Sequence, residues 1–360
     1  MLHTYNFSAG PAMLPPAVLK QAQAELLEWN GARASVMEVS HRSKEFVALA
    51  AESECDLRDL LQIPPNYRVL FLQGGATQHF AQIPMNIARA EQSADYLVTG
   101  HWGEKALAEA RPYVNARVAA TSADAQFQSI PPRDEWNLDP RAAYVHFTPN
   151  ETIHGVEFHT IPAVGDVPLI ADMSSDILSR PIDVTRFGLI YAGAQKNIGP
   201  SGLVVLIVRD DLLERCPPDI ARIFNYAEQA KQESMLNTPN TFAWYLAGLT
   251  FKWLKGEGGM PSMAERNAAK AALLYAAIDR SDFYGNPVDP ASRSRMNVPF
   301  TLADTHLEST FLSEAGAAGL LGLKGHRSVG GMRASIYNAM PLAGVETLVD
   351  FMNEFERCHG

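Results

Sequence analysis

Between residues 67 and 208 the chain alternates short, nearly unbroken apolar runs with stretches of helical periodicity. The runs fall at residues 69–72, 96–98, 143–147, 168–171, 189–192 and 203–208. A strand covered on one face alternates apolar and polar positions, so unbroken runs predict strands buried on both faces. Such strands interleaved with helices predict an α/β domain around a mostly parallel sheet. A longer apolar segment, residues 242–254, is interrupted by Lys252 and falls short of the roughly 20 residues needed to cross a bilayer, so it predicts a buried helix. Thr238 is its expected cap, with Pro239 in the first turn and Lys255-Gly256 at its close.

Polar or glycine residues follow the predicted strands at their C-terminal ends: Gln73-Gly74-Gly75, Gly100-His101-Trp102, Thr148-Pro149-Asn150, Asp172 and Gln195-Lys196. Ligands of open α/β sheets bind at that edge, which is where chemistry is expected. The glycine-rich stretch 255–261 predicts a domain boundary, with a helix-rich segment beyond it opening a smaller α+β domain. No internal repeat or low-complexity tract is present.

Composition narrows the function classes. With 47% apolar and 19% charged residues in 360, the chain has the balance of a soluble globular protein. A net charge of −10 without a basic run argues against nucleic acid as a partner. An anionic ligand would then need a few placed Arg and His residues to make its site locally positive. Cys55, Cys216 and Cys358 are too scattered for a disulfide framework or a zinc cluster, so no metal is expected and a reducing cytoplasmic location fits. The first residues lack a basic start and an apolar stretch, so no signal peptide is expected.

Lys196 stands in a loop of small residues directly after an apolar run. Poor solvation there lowers a lysine pKa and frees the neutral amine for imine formation, although a surface lysine in an ordinary loop reads the same way. Asp172 ends an earlier run, where a carboxylate is able to pair with a protonated pyridine nitrogen or simply to cap a helix. Gly74-Gly75-Ala76-Thr77-Gln78 joins a strand to a helix whose first amides suit a phosphate, without the dinucleotide fingerprint. Trp102 offers a ring for stacking, or is core.

Several segments together resemble the phosphoserine aminotransferase family, from near the first residues to the last helix: Asn6-Phe7-Ser8-Ala9-Gly10-Pro11, Ser35 through Arg42, Pro149-Asn150-Glu151-Thr152, Ala192 through Pro200, and Gly325 through Ser335. His41-Arg42 and Gly325-His326-Arg327 are the most specific. The resemblance implies a fold-type I pyridoxal-phosphate transferase with a large α/β domain over 16–258 and a small α+β domain over 259–360 completed by 1–15. It implies that Lys196 carries the Schiff base and moves the substrate proton, that Asp172 pairs with the pyridine nitrogen, and that Trp102 stacks on the ring. Thr152 and Gln195 would hold its polar edge or phosphate, and Ala76 and Thr77 would give amides to the phosphate. Asn237 and Thr238 would reach the neighbouring subunit's phosphate, which makes the expected assembly a homodimer with active sites shared across the interface.

For substrates, the resemblance implies that His41, Arg42, His326 and Arg327 bind a phosphate or distal carboxylate while Arg333 clamps an α-carboxylate, using the planar arginine fork. The implied reaction is ping-pong transfer of the amino group of L-glutamate to 3-phosphohydroxypyruvate, in serine biosynthesis. A second phosphorylated 2-oxoacid, 3-hydroxy-2-oxo-4-phosphooxybutanoate of pyridoxine biosynthesis, is a further expected substrate. Thr77 departs from the arginine of some members, so phosphate anchoring here is expected to lean on backbone and hydroxyl. The competing readings are a cysteine desulfurase, for which Cys358 is poorly placed, and a nucleotide-binding α/β protein using Gly74-Gly75 without catalysis.

Overall fold

All the apolar runs of the first 210 residues become strands of one sheet in a computed structural model that describes residues 4–360. Two helices, α1 (Pro16–Ala24) and α2 (Lys44–Leu61), precede β1 (Tyr67–Gly74). The chain continues through α3 (Ala76–Ile87), β2 (Ser93–Val98), α4 (His101–Ala110), β3 (Asn115–Thr121), β4 (Val145–Phe147), β5 (Leu169–Asp172), β6 (Leu189–Gly193) and β7 (Gly202–Arg209). Their order across the sheet is β1-β7-β6-β5-β4-β2-β3. Only β7 runs antiparallel to its neighbours, so the sheet is mostly parallel as expected. Every residue of β4, β5 and β6 is buried, which accounts for their unbroken apolar character.

The strand that the apolar pattern missed is β3. It lies at the sheet edge with half its length open to solvent, so Asn115 and Arg117 interrupt the signal. Arg117 folds back onto the carboxylates of Asp95 and Asp139 at 3.3 and 3.5 Å, placing charge along an edge that would otherwise invite a further strand.

The apolar segment 242–254 lies within α5 (Thr241–Gly256), buried between α2 and the sheet. Trp244 stacks on Phe71 at 4.6 Å and meets Phe46 edge-on at 5.9 Å. Its cap differs from the expectation. Asn240, not Thr238, accepts the Ala243 N–H at 3.1 Å, because the helix begins two residues beyond Pro239. The Thr238 carbonyl instead accepts from the Gln73 side chain. At the other end the Lys255 ammonium lies 2.7 Å from both Asp56 and Asp59 of α2.

Only Glu257 and Gly258 separate α5 from α6 (Gly259–Asp279), with Gly258 in the left-handed region at φ 96°. Met260 and Met263 pack into the core shared with α5 and the sheet. Ala271, Leu274 and Ile278 of the same helix belong to a second core. That core also takes in the antiparallel sheet β8 (Tyr284–Gly285), β9 (Asn297–Leu302) and β10 (Met332–Ser335), with α7 (Glu308–Ala317) and α8 (Leu342–His359). Phe7 joins it from the N-terminal side, where Tyr5–Asn6 pairs in parallel with Leu320–Leu321.

Polar bonds tie the second core to the first. On the second-core side the buried Lys270 amine of α6 donates to the carbonyls of Ile336, Tyr337 and Met340 at 2.8, 2.7 and 3.0 Å and so fixes the turn they form. Asn338 in that turn donates its side-chain amide to the Leu178 carbonyl at 2.7 Å and its backbone N–H to Asn197 Oδ1 at 3.1 Å. Replacing Asn240 with Ala removes the side chain that accepts the Ala243 N–H, and we expect a loss of about 1 kcal/mol in denaturant unfolding with the m-value unchanged.

Candidate active site

The C-terminal strand ends of the large sheet enclose a cavity of about 270 Å³. Its walls include Gly74, Gly75, Ala76 and Thr77 from the end of β1 and the start of α3. Trp102 of α4, Thr152, Asp172 at the end of β5, and Gln195 and Lys196 just past β6 complete it. Parallel register brings the two charged groups together, since β5 pairs with β6 as far as Asp172 opposite Tyr191.

Lys196 follows the last strand residue through a tight turn in which the amides of Lys196, Ile198 and Gly199 all donate to the Ala194 carbonyl. This turn aims the side chain back into the cavity, where Nζ donates to Thr152 Oγ1 at 2.7 Å. Burial pulls its pKa down to about 8 and Arg333 adds to the fall, while the carboxylates of Asp172, Glu151 and Asp176 oppose it. A usable fraction of neutral amine is therefore present near neutral pH. The chain from Ala9 to Ala12 packs against the same turn, with the Ala12 N–H donating to the Gln195 carbonyl at 2.9 Å.

Asp172 is buried, and desolvation raises its pKa against the opposing pull of Ser174 and Lys196. The Ser174 hydroxyl and N–H both donate to Oδ1, at 2.6 and 3.0 Å. Ser174 Oγ in turn accepts the Gly193 N–H at 3.0 Å, so the carboxylate is fixed to β6 as well as to its own strand. A desolvated carboxylate held on one oxygen favours a cationic partner in the cavity it lines.

The mouth is cationic. The rings of His101 and His326 stand 5.8 Å apart, Lys105 lies 5.4 Å from the Trp102 ring centre, and Arg333 donates to the Thr152 carbonyl at 3.4 Å. Burial lowers the pKa of both histidines, and the neighbouring Lys105 and Arg327 lower them further. With both histidines biased toward the neutral form, the local positive charge comes from Lys105, Arg327 and Arg333, and it opposes the overall −10 as an anionic ligand demands.

Residues 4–348 match the family described as Aminotransferase class-V. The chain belongs to that family. Phosphoserine aminotransferase of Pseudomonas aeruginosa is 60% identical over 356 residues, which cover 99% of each chain. A solved phosphoserine aminotransferase from Bacillus circulans subsp. alkalophilus superposes with a TM-score of 0.97 at 48% identity, over 99% of each chain. A pyridoxal-phosphate-bound phosphoserine aminotransferase from Trichomonas vaginalis gives 0.93 at 42% identity, covering 98% of this chain and all of its own.

In this class-V aminotransferase the expected residues divide by position. Ala76, Thr77, Trp102, Thr152, Asp172, Gln195 and Lys196 all line the one cavity, and Arg333 touches Thr152 beside it. His326 and Arg327 reach its mouth through His101. His41 and Arg42 are not among the lining residues; they sit in the turn before α2, where Ser40 Oγ accepts the Arg42 N–H at 3.2 Å. Asn237 and Thr238 are exposed beyond the end of β1, Asn237 on a second cavity of about 310 Å³ with Gln73 and Gln78. None of the three cysteines lines the first cavity, which leaves a desulfurase without its nucleophile.

Some residues of the site carried no assigned role in the sequence. Ser174 follows an aspartate by two positions, the spacing of a side-chain turn, and that is the signal that could have marked it. His101 and Lys105 share one face of α4 with nothing local to announce them. Acylation of Lys196 by an amine-directed reagent, followed by peptide mass spectrometry, should accelerate with pH and level off above about 8. Exposed lysines should keep gaining reactivity to roughly pH 10.

Proposed function

We propose that the chain is a pyridoxal-phosphate-dependent phosphoserine aminotransferase. It moves the amino group of L-glutamate to 3-phosphohydroxypyruvate and yields O-phospho-L-serine and 2-oxoglutarate. The observation that carries this reading is the desolvated Lys196 amine sharing a cavity with the buried, serine-fixed carboxylate of Asp172. The chain's donors fit the cofactor: Trp102 Nε1 and Thr148 Oγ1 on the cavity wall, and Arg333 Nε beside it, are buried and find no partner among the described residues. When bound, pyridoxal phosphate supplies an aromatic ring that takes up the electron pair left by removal of an α-proton.

The chain's own groups do the remaining work. Lys196 Nζ is the amine that would hold the cofactor and, when free, would carry the proton from the substrate α-carbon. Thr152 Oγ1 orients that amine. Asp172 would hold the protonated ring nitrogen, Trp102 would cover the ring, and the first amides of α3 at Ala76 and Thr77 would receive the phosphate with Gln195. Arg333 binds the α-carboxylate, and His326 and Arg327 with His41 and Arg42 bind the distal anion. The same recognition extends to 3-hydroxy-2-oxo-4-phosphooxybutanoate, with a carboxylate at one end and a phosphate at the other. We place the enzyme in the cytoplasm and divide it into a large domain over 16–258 and a small one over 259–360 with the N-terminal residues.

A homodimer with shared sites accounts for the positions of His41 and Arg42. The stretch around them exposes Leu19, Leu26, Leu27, Met37 and Val47, with Leu27 86% accessible. Apolar residues so concentrated mark an association surface, and its burial against a second copy would deliver both side chains to that copy. Asn237 and Thr238 would reach the other subunit's phosphate in the same assembly. Leu27→Asp should shift the sedimentation equilibrium toward monomer and lower activity with it; an unchanged dimer would remove this surface from the interface.

The reaction itself is tested by absorption spectroscopy. L-glutamate should bleach the yellow colour of the holoenzyme and 3-phosphohydroxypyruvate should restore it. Lys196→Ala should still take up pyridoxal phosphate yet show neither change. Turnover by that variant, or a wild-type protein that stays colourless with added cofactor, would overturn the assignment.

A further inference from the structure

Glu151 has no part in the chemistry described above, yet it is wholly buried beside Lys196. Its Oε2 accepts the Trp102 N–H at 3.0 Å and its Oε1 the Gly103 N–H at 2.8 Å. These are amides of the first turn of α4, which a helix leaves unpaired and an N-cap side chain ordinarily satisfies. Gly100, at the cap position, has no side chain to offer, and α4 has no cap of its own. The cap is supplied instead from 49 and 48 positions along the chain.

A second observation shows the fit is built for this carboxylate. A Cβ placed on Gly100 would lie 2.5 Å from Glu151 Cδ and 2.6 Å from Oε2. Gly100 has φ 171°, extended backbone open to any residue, so it is the carboxylate and not the backbone that requires glycine there. The neighbours of Glu151 complete a relay. Asn150 Nδ2 donates to Ser175 Oγ at 2.9 Å and to Asn297 Oδ1 of β9 at 2.8 Å, and Thr152 Oγ1 accepts from Lys196. Three consecutive side chains therefore bind the second core, the helix carrying Trp102 and the reactive amine.

We propose that Glu151 is a positioning residue of the transamination site, whose carboxylate holds the first turn of α4 and so fixes the Trp102 indole over the cavity at a set distance from Lys196. The indole centre stands 5.9 Å from Lys196 Nζ. Burial raises the Glu151 pKa to about 7, while its two helix amides pull the other way, consistent with a carboxylate retained at the cost of desolvation. This inference rests on reading the cavity as the pyridoxal-phosphate site.

Glu151→Gln keeps the shape but sets an amide donor against a helix N–H. Gly100→Ala drives a methyl into the carboxylate and tests the same contact from the other side. In the cofactor-free protein, Trp102 fluorescence is isolated by subtracting the signal of Trp102→Phe in each background. Both variants should make that emission more accessible to acrylamide, and both should weaken equilibrium binding of pyridoxal phosphate by on the order of tenfold, the loss of one charge-assisted hydrogen bond. The double variant should be no worse than the more affected single one. A lowered melting temperature with unchanged Trp102 quenching and cofactor affinity would mean Glu151 serves stability alone and would overturn the proposal. If the wild-type protein binds no pyridoxal phosphate, the cofactor reading fails, and the quenching comparison still decides whether Glu151 holds Trp102.

Discussion

An amine enclosed at the end of a fully buried strand cannot keep its proton as firmly as one in water, and the arrangement around the cavity follows from that. β6 is buried along its whole length, so the turn that leaves it delivers Lys196 into a low-dielectric cleft. Neutral amine alone would be a poor catalyst if it wandered, and Thr152 gives it a direction. The buried acids Asp172 and Glu151 keep its pKa from falling further, so both protonation states remain within reach near neutrality. Each of those acids is fixed by hydrogen bonds at considerable desolvation cost.

Such costs are borne by packing elsewhere. The sheet stacks aromatic rings on α5 through Phe71 and Trp244, and the second core gathers Phe283, Phe300, Phe311 and Phe355 around α8. Between them run the hydrogen bonds of Asn197, Asn338 and Asn267, with Lys270 fixing the turn that carries Asn338 from the second-core side. Buried side-chain amides are satisfied in few geometries, so the asparagine bonds define how the two cores meet as well as hold them together.

Much of this was legible in the chain because strands buried on both faces leave no polar interruption. The apolar runs located the strands of the sheet centre, and polar residues at their ends located Asp172 and Lys196. The edge strand β3 was invisible for the converse reason, being half exposed. Local patterns also misassigned the cap of α5, since Thr238 and Asn240 are both acceptable caps and only the position of Pro239 relative to the first turn distinguishes them. Glu151 could not be told from a surface acid, because its burial is set by a glycine far away in sequence. The cationic mouth was foreseeable as a need; Lys105, which helps meet it, and His101 beside it come together with His326 and Arg327 only through tertiary folding.

Helix α6 begins in one core and ends in the other, with Met260 and Met263 at its near end and Leu274 and Ile278 at its far end. Its 21 residues make a stiff strut about 30 Å long. A strut clamped at both ends transmits displacement along its axis, so neither core can shift at its end without loading the other. Gly258, just before this strut, and Gly259, its first residue, both take positive φ, so the break from α5 falls within a single short stretch. Helix length therefore helps set the spacing between the two cores, through a rod whose rise of about 1.5 Å per residue is left alone by side-chain changes in either of them.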